Sequence, residues 1–180
     1  DIDAEGETFQ VNPGETVSLD VMVTNVGNLV DDLTLLTSVI TSLQSGDSSM
    51  EWISSGSAIS NLGANETGMM SVDTIIPLDA WSGSSAEVTV TAIAQGQEIT
   101  SFSFSVFSGH VPSWNAVIEQ ANLEVATHGS EITLSVLQMG NSPSRPYISM
   151  FVSGEQGWEI GNVSDMPMIN PGESAALSLN

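Results

Sequence analysis

A turn and the strand that follows it occur twice in this chain, and that repetition limits the fold more than any single residue does. Asn12-Pro13-Gly14-Glu15 leads into Val17, Leu19, Val21 and Val23 at alternate positions and closes at Gly27-Asn28. Downstream, Gly129-Ser130-Glu131 leads into Ile132-Thr133-Leu134-Ser135-Val136 and closes at Gly140-Asn141. The echo continues with Glu51-Trp52-Ile53 against Gly157-Trp158-Glu159-Ile160. It ends with Gly63-Ala64-Asn65-Glu66-Thr67 against Asn170-Pro171-Gly172-Glu173-Ser174. One β-module is used twice, each copy with its own core and a short connection between them.

The period along each copy is two, the period of a strand with one face buried. In the first copy, seven short strands are predicted. They fall at residues 7–11, 17–23, 33–40, 50–53, 69–76, 88–94 and 102–106, with Gly96-Gln97 as a tight connection between the last two. The mostly apolar stretch 33–40 is expected to cross the middle of a sandwich, and Trp52 is expected in the core between sheets, as is its counterpart Trp158. Residues 114–125 place Val117, Ile118, Ala121 and Val125 at roughly helical spacing. The alternation of Leu123 and Val125 into the turn at His128-Gly129 favours a strand instead. Ser108-Gly109-His110-Val111-Pro112-Ser113 has linker composition, so the expected division is a module over 1–108, a linker over 109–113 and a second module over 114–180. By the repeat alignment Asn180 matches Asp73, so the second module lacks its last strands. Either the polypeptide continues in nature, or residues 114–125 rearrange to cover the exposed face, or a neighbour donates strands; continuation is the favoured expectation.

Charge narrows the function classes. Asp and Glu number 22 against a single cation, Arg145, for a formal net charge of −21. Nucleic acid is therefore not an expected partner, because its binding relies on Lys and Arg neutralising phosphates. A solvated, self-repelling surface is the simplest account, and a saline habitat fits it, since salt shortens the range of the repulsion. Cysteine is absent, which removes disulfides and thiolate chemistry. No apolar run approaches the length of a membrane span, so direct membrane insertion is not expected, and the start at Asp1-Ile2-Asp3 reads as a mature or trimmed segment.

Few residues are placed for chemistry. His110 and His128 fall in the linker and a turn without metal-ligand spacing, and exposed histidines are the simpler account. No Gly-x-Ser-x-Gly elbow and no phosphate-binding glycine loop occur. Catalytic, cofactor-binding and resident-metal residues are therefore expected to be none. Asp31-Asp32 and the acidic turns offer oxygens that suit Ca²⁺, although an exposed acidic loop accounts for them without an ion. Asn65-Glu66-Thr67 and Asn162-Val163-Ser164 are acceptor triplets for N-glycosylation at Asn65 and Asn162.

Together, Pro13-Gly14-Glu15-Thr16, Asn25-Val26-Gly27-Asn28, Trp52, the turn at residues 63–67, Pro77-Leu78-Asp79-Ala80 and Gly83 resemble extracellular immunoglobulin-like modules. These are of the CARDB and alpha-galactosidase-associated type, common in archaeal and bacterial surface proteins. Two departures stand out: the turn at 63–67 lacks proline, and Asn141 is followed by the Pro-rich insert at 142–146. The resemblance implies an all-β fold of tandem immunoglobulin-like β-sandwiches, the second incomplete. It also implies a non-enzymatic extracellular segment of a larger surface protein, serving as stalk, adhesion, envelope or filament part. Expected partners are other β-sandwich modules of the same protein or neighbouring copies, by strand pairing, and glycans. The alternative is an accessory or carbohydrate-binding module of a secreted hydrolase, for which Trp81 and Trp114 are the aromatic candidates.

Overall fold

A computed structural model describes residues 6–49, 51–118, 132–149 and 165–179. Its elements are β1 (Thr8–Val11), β2 (Thr16–Thr24), β3 (Asp31–Ser42), β4 (Ile53–Gly56), β5 (Ala58–Leu62), β6 (Thr67–Ile75), β7 (Ser85–Ala94), β8 (Gln97–Ser108), β9 (Trp114–Ile118), β10 (Ile132–Gln138) and β11 (Ser174–Leu179). The fold is all-β. The chain divides into two compact units, Asp1–His110 and Val111–Asn180.

The first unit is an immunoglobulin-like sandwich of two sheets, ordered β1-β8-β7-β3-β5 and β2-β6-β4. Alternation decides what each strand buries. Val88, Val90, Phe102, Phe104 and Val106 on one sheet meet Val17, Val21, Met70 and Val72 on the other, while Thr89 and Ser103 on the outer face share a hydrogen bond at 2.9 Å. Phe104 sits edge-on to Phe9, their ring centroids 5.9 Å apart. Trp52 is buried in this core just before β4, at 7% exposure. Trp158 lies outside the described residues.

Three expectations need correction. Residues 33–40 do not run buried throughout: Leu35 is buried, but Leu36 is 55% and Ile40 69% exposed, because β3 alternates like its neighbours and its outer face carries apolar side chains. The hairpin loop is Gln95-Gly96 rather than Gly96-Gln97. Both loop residues have positive φ, 51° and 75°, the pairing that matches the twist of a two-residue hairpin. The stretch between the predicted strands at 50–53 and 69–76 is not a plain connection, since residues 54–57 form a crossing between sheets. The Ser57 amide donates to the Ser71 carbonyl on one sheet, and the Ser57 carbonyl accepts from Leu35 on the other. The chain thus leaves β4 in one sheet and continues as β5 in the other, so the unit has eight strands among its described residues. Gly56 permits this close approach, since a Cβ there would lie 2.3 Å from the Leu35 carbonyl oxygen.

In the second unit, the described residues form one sheet ordered β11-β10-β9, with Leu134, Val136, Met166, Ile169 and Leu177 buried on it. Residues 114–118 are a strand, and the rest of 114–125 lies outside the described residues. The register repeats that of the first unit. Thr24 faces Thr67 in β2 and β6, and Leu137, three residues before Gly140, faces Ser174 just as Thr24 stands three before Gly27.

Candidate functional site

The two units share a local device built from short-range hydrogen bonds. In three turns a glutamate amide closes back on the carbonyl three residues earlier: Glu15 on Asn12, Glu66 on Gly63 and Glu173 on Asn170, at 3.0–3.1 Å. The glutamate carboxylate then reaches the first residue of the turn, accepting from the amide of Asn12 at 3.0 Å, the amide of Gly63 at 2.7 Å and the side-chain amide of Asn170 at 3.1 Å. Position three of each turn has positive φ, taken by Gly14, Asn65 and Gly172. The missing proline at 63–67 is therefore of no consequence to the geometry: Ala64 stands in its place and Asn65 accepts the left-handed conformation.

A side-chain amide forms the second shared part. Asn25 donates its backbone amide to Glu66 and accepts from the amide of Asn65; Gln138 does the same with Glu173 and Gly172. The side-chain oxygen of each accepts from the amide two residues on, Gly27 and Gly140, at 2.9 Å. The side-chain nitrogen donates to the carbonyl four residues on, Leu29 and Ser142, at 2.8 Å. Gln138 is 1% exposed and also bonds the Ser144 hydroxyl.

Beside Asn25 the first sandwich is open. Among the described residues β2 pairs only with β6, so its outer edge is unpaired. On the facing sheet β1 covers β8 at residues 105–108, with Gly6 adding a bond to Ser103, so that among the described residues 97–102 of β8 pair with β7 on one side and with no strand on the other. Between these edges lies a cavity of about 320 Å³ lined by Val21, Val23, Leu33, Leu35, Leu62 and Phe102. Small side chains create it: where Val88 faces Phe104 the core is filled, but towards this end the pairs are Ala92 with Thr100 and Ala94 with Gln97. The pairing shift after Ala92 leaves Ile99 as an extra, bulged residue, 60% exposed at the mouth. Val26, Leu29 and Val30 are exposed on the adjoining loop.

At the other end of the sandwich Asp47 ties two loops together. Its carboxylate accepts from the amides of Ser49 at 2.7 Å and Trp81 at 3.0 Å, and from the Ser84 hydroxyl. Partial burial opposes its ionisation, but the Ser84 hydroxyl and the two backbone amides outweigh that cost and hold its pKa below the ordinary aspartate value. Nothing in the local sequence Ser-Gly-Asp-Ser-Ser singles this residue out, because two of its partners, Trp81 and Ser84, are more than thirty positions away.

The other sequence candidates are dispersed. Asn65 is exposed in its turn, sterically open to modification, and Asn162 lies outside the described residues. His110 is exposed and His128 lies outside the described residues. Asp31 accepts from Gln95 at 3.0 Å and Asp32 from the Asn61 amide at 2.8 Å, so the two carboxylates tie separate strands. Among the described residues no group of three or more His, Asp or Glu is placed to hold a metal ion. Trp81 lies over the backbone at Gly46, whose Cβ position is 3.0 Å from the ring, and Trp114 packs against the second core, so neither stands free as a platform.

No protein-family model matches the chain, and no curated protein matches it. Similar solved structures include the crystal structure of Pseudomonas aeruginosa CupB2 chaperone, 10% identical over 98% of this chain and 87% of that one, TM-score 0.36. Another is the CsuC-CsuE chaperone-tip adhesion subunit pre-assembly complex from archaic chaperone-usher Csu pili of Acinetobacter baumannii, 11% identical over 97% of this chain and 84% of that one, TM-score 0.34.

Proposed function

We propose that this chain is a non-enzymatic, extracellular structural or adhesion segment of a larger surface protein, a stalk, envelope or filament component of the CARDB-like type. The supporting observation is that the repeated residues described in both units are scaffold. Glu15, Glu66 and Glu173 close turns, and Asn25 and Gln138 secure loops, in the same way in both units. A sequence that duplicates its scaffold to this detail, and duplicates no polar cluster beyond it, is an array of modules. The excess of 22 acidic residues over one cation keeps such an array soluble and apart from anionic surfaces. The carbohydrate-binding alternative needs an exposed aromatic face, and Trp81 and Trp114 are both engaged elsewhere.

Labelling of the native protein on intact cells tests the reading: antibody and added protease are expected to reach it without lysis. A wholly intracellular pool would overturn the proposal. Solution scattering is expected to show two beads along an axis, and a single compact globule would count against a stalk.

A further inference from the structure

We infer that the open seam of the first unit receives a β-strand from another polypeptide, antiparallel to β2 along residues 21–25, apolar at alternate positions and bearing lysine or arginine beside them. The inference rests on the reading of the chain as a surface-assembly segment and adds the partner's chemistry and place.

The repeat itself supplies the reasoning. Aligning the two amide residues, Asn25 with Gln138, lays residues 134–138 on residues 21–25. In the second unit that edge is taken. β9 runs antiparallel along it, with Leu134 opposite Ile118, Val136 opposite Ala116 and Gln138 opposite Trp114. In the first unit the strand that precedes the repeat, β1, has joined the other sheet beside β8, and residues 21–25 line the cavity instead. Among the described residues, the same scaffold therefore has a strand in one copy and a gap in the other.

The gap has the features that strand addition requires: a row of unpaired backbone groups for affinity and a pocket for alternate side chains. Because the Asn25 amide donates to Glu66, on the side where β2 pairs with β6, alternation turns the amides of Thr24 and Met22 to the open edge. The strand filling this position in the second unit, Trp114-Asn115-Ala116-Val117-Ile118, is uncharged. The seam is rimmed by carboxylates, Asp31 on its wall and Glu98 beside Ile99. The acidic stretch Asp1-Ile2-Asp3-Ala4-Glu5 is a poor occupant, because it would bring further carboxylates to that rim, and Arg145 is the chain's one cation. A cationic strand of a different polypeptide satisfies both the apolar wall and the acidic rim.

The test uses the full chain and a fluorescent synthetic peptide with the sequence of residues 114–118 flanked by lysines. Saturable binding is expected, with slowed amide exchange at residues 21–25 and at residues 97–102. Flanking the same peptide with glutamates is expected to weaken binding by roughly tenfold or more. Met22→Pro removes an outward amide at an edge position where proline is tolerated, and Ile99→Glu adds charge at an exposed site; each is expected to weaken binding roughly tenfold with the melting temperature nearly unchanged. Absence of saturable binding, exchange protection confined to residues 132–138, or full affinity in both variants would overturn the inference. So would binding that appears only after residues 1–5 are removed, which would assign the seam to the chain's own start, or a stable dimer that excludes the peptide, which would assign it to a second copy. Surface labelling and scattering are untouched by any of these results, so the failure of this inference is distinguishable from failure of the functional reading.

Discussion

Trp52 shows how one side chain can be read partly from its type. Its bulk belongs between the sheets, and it is buried there, but its indole Nε1 has no hydrogen-bond partner among the described residues. Its contribution is therefore packing. Trp52→Ala is expected to lower unfolding free energy by about 3–5 kcal/mol, whereas Trp52→Phe, which removes an unpaired polar atom along with volume, is expected to cost less than half as much. Urea titration of both variants checks this, and equal losses would show that the indole nitrogen matters. Asp47 behaves differently because its role is electrostatic. Its folded pKa is depressed, so the stability it contributes is complete above the unfolded value of 3.8 and is lost as pH falls through the folded one. The stability difference between the native chain and Asp47→Asn is accordingly expected to shrink as pH is lowered from about 5 to about 2. A difference independent of pH would remove the charge from the explanation.

At the scale of elements, the crossing at Ser57 decides how the sandwich closes. A strand that leaves one sheet for the other must pass the backbone of β3 closely, and only glycine at 56 leaves space for it. Gly56→Ala is expected to destabilise the first unit by roughly 2–3 kcal/mol, because the clash is with backbone and cannot be relieved by a rotamer change. Circular dichroism melts would detect it, and a neutral result would mean that β4 and β5 slide freely. The Glu-closed turns work in the opposite sense. They are local, each spanning four residues, and so they recur wherever the same residue types recur.

For the molecule as a whole, charge is the dominant global property. With −21 spread over a folded surface, carboxylates repel more strongly than in the expanded chain, and melting temperature is expected to rise between low and high NaCl. A flat profile would show that the acidic groups are too well solvated to matter. Millimolar CaCl₂ at matched ionic strength is expected to add nothing to the NaCl effect, since Asp31 and Asp32 bond to separate partners. A Ca²⁺-specific shift would reveal a site.

Strand periodicity, turn positions and the repeat were legible from residues alone, because each depends on neighbours within a few positions. Alternation exposes the buried face of β2, Pro13 and Gly14 specify a turn, and the Gly-Asn pairs at 27–28 and 140–141 align the two copies. What stayed hidden was every feature set by partners distant in sequence. Residues 54–57 belong to none of the predicted strands; only contact with Leu35 and Ser71 makes them a crossing. Asp47 is one acid among 22 until Trp81 and Ser84 fold over it. The open seam is the clearest case. The repeat marks residues 21–25 and 134–138 as alike, and the tertiary structure alone decides that β9 covers one edge while β1 crosses to the other sheet and leaves its counterpart bare. Pairing across a sheet is a long-range choice between edges of similar local chemistry, so the residues of an edge do not reveal which strand will take it.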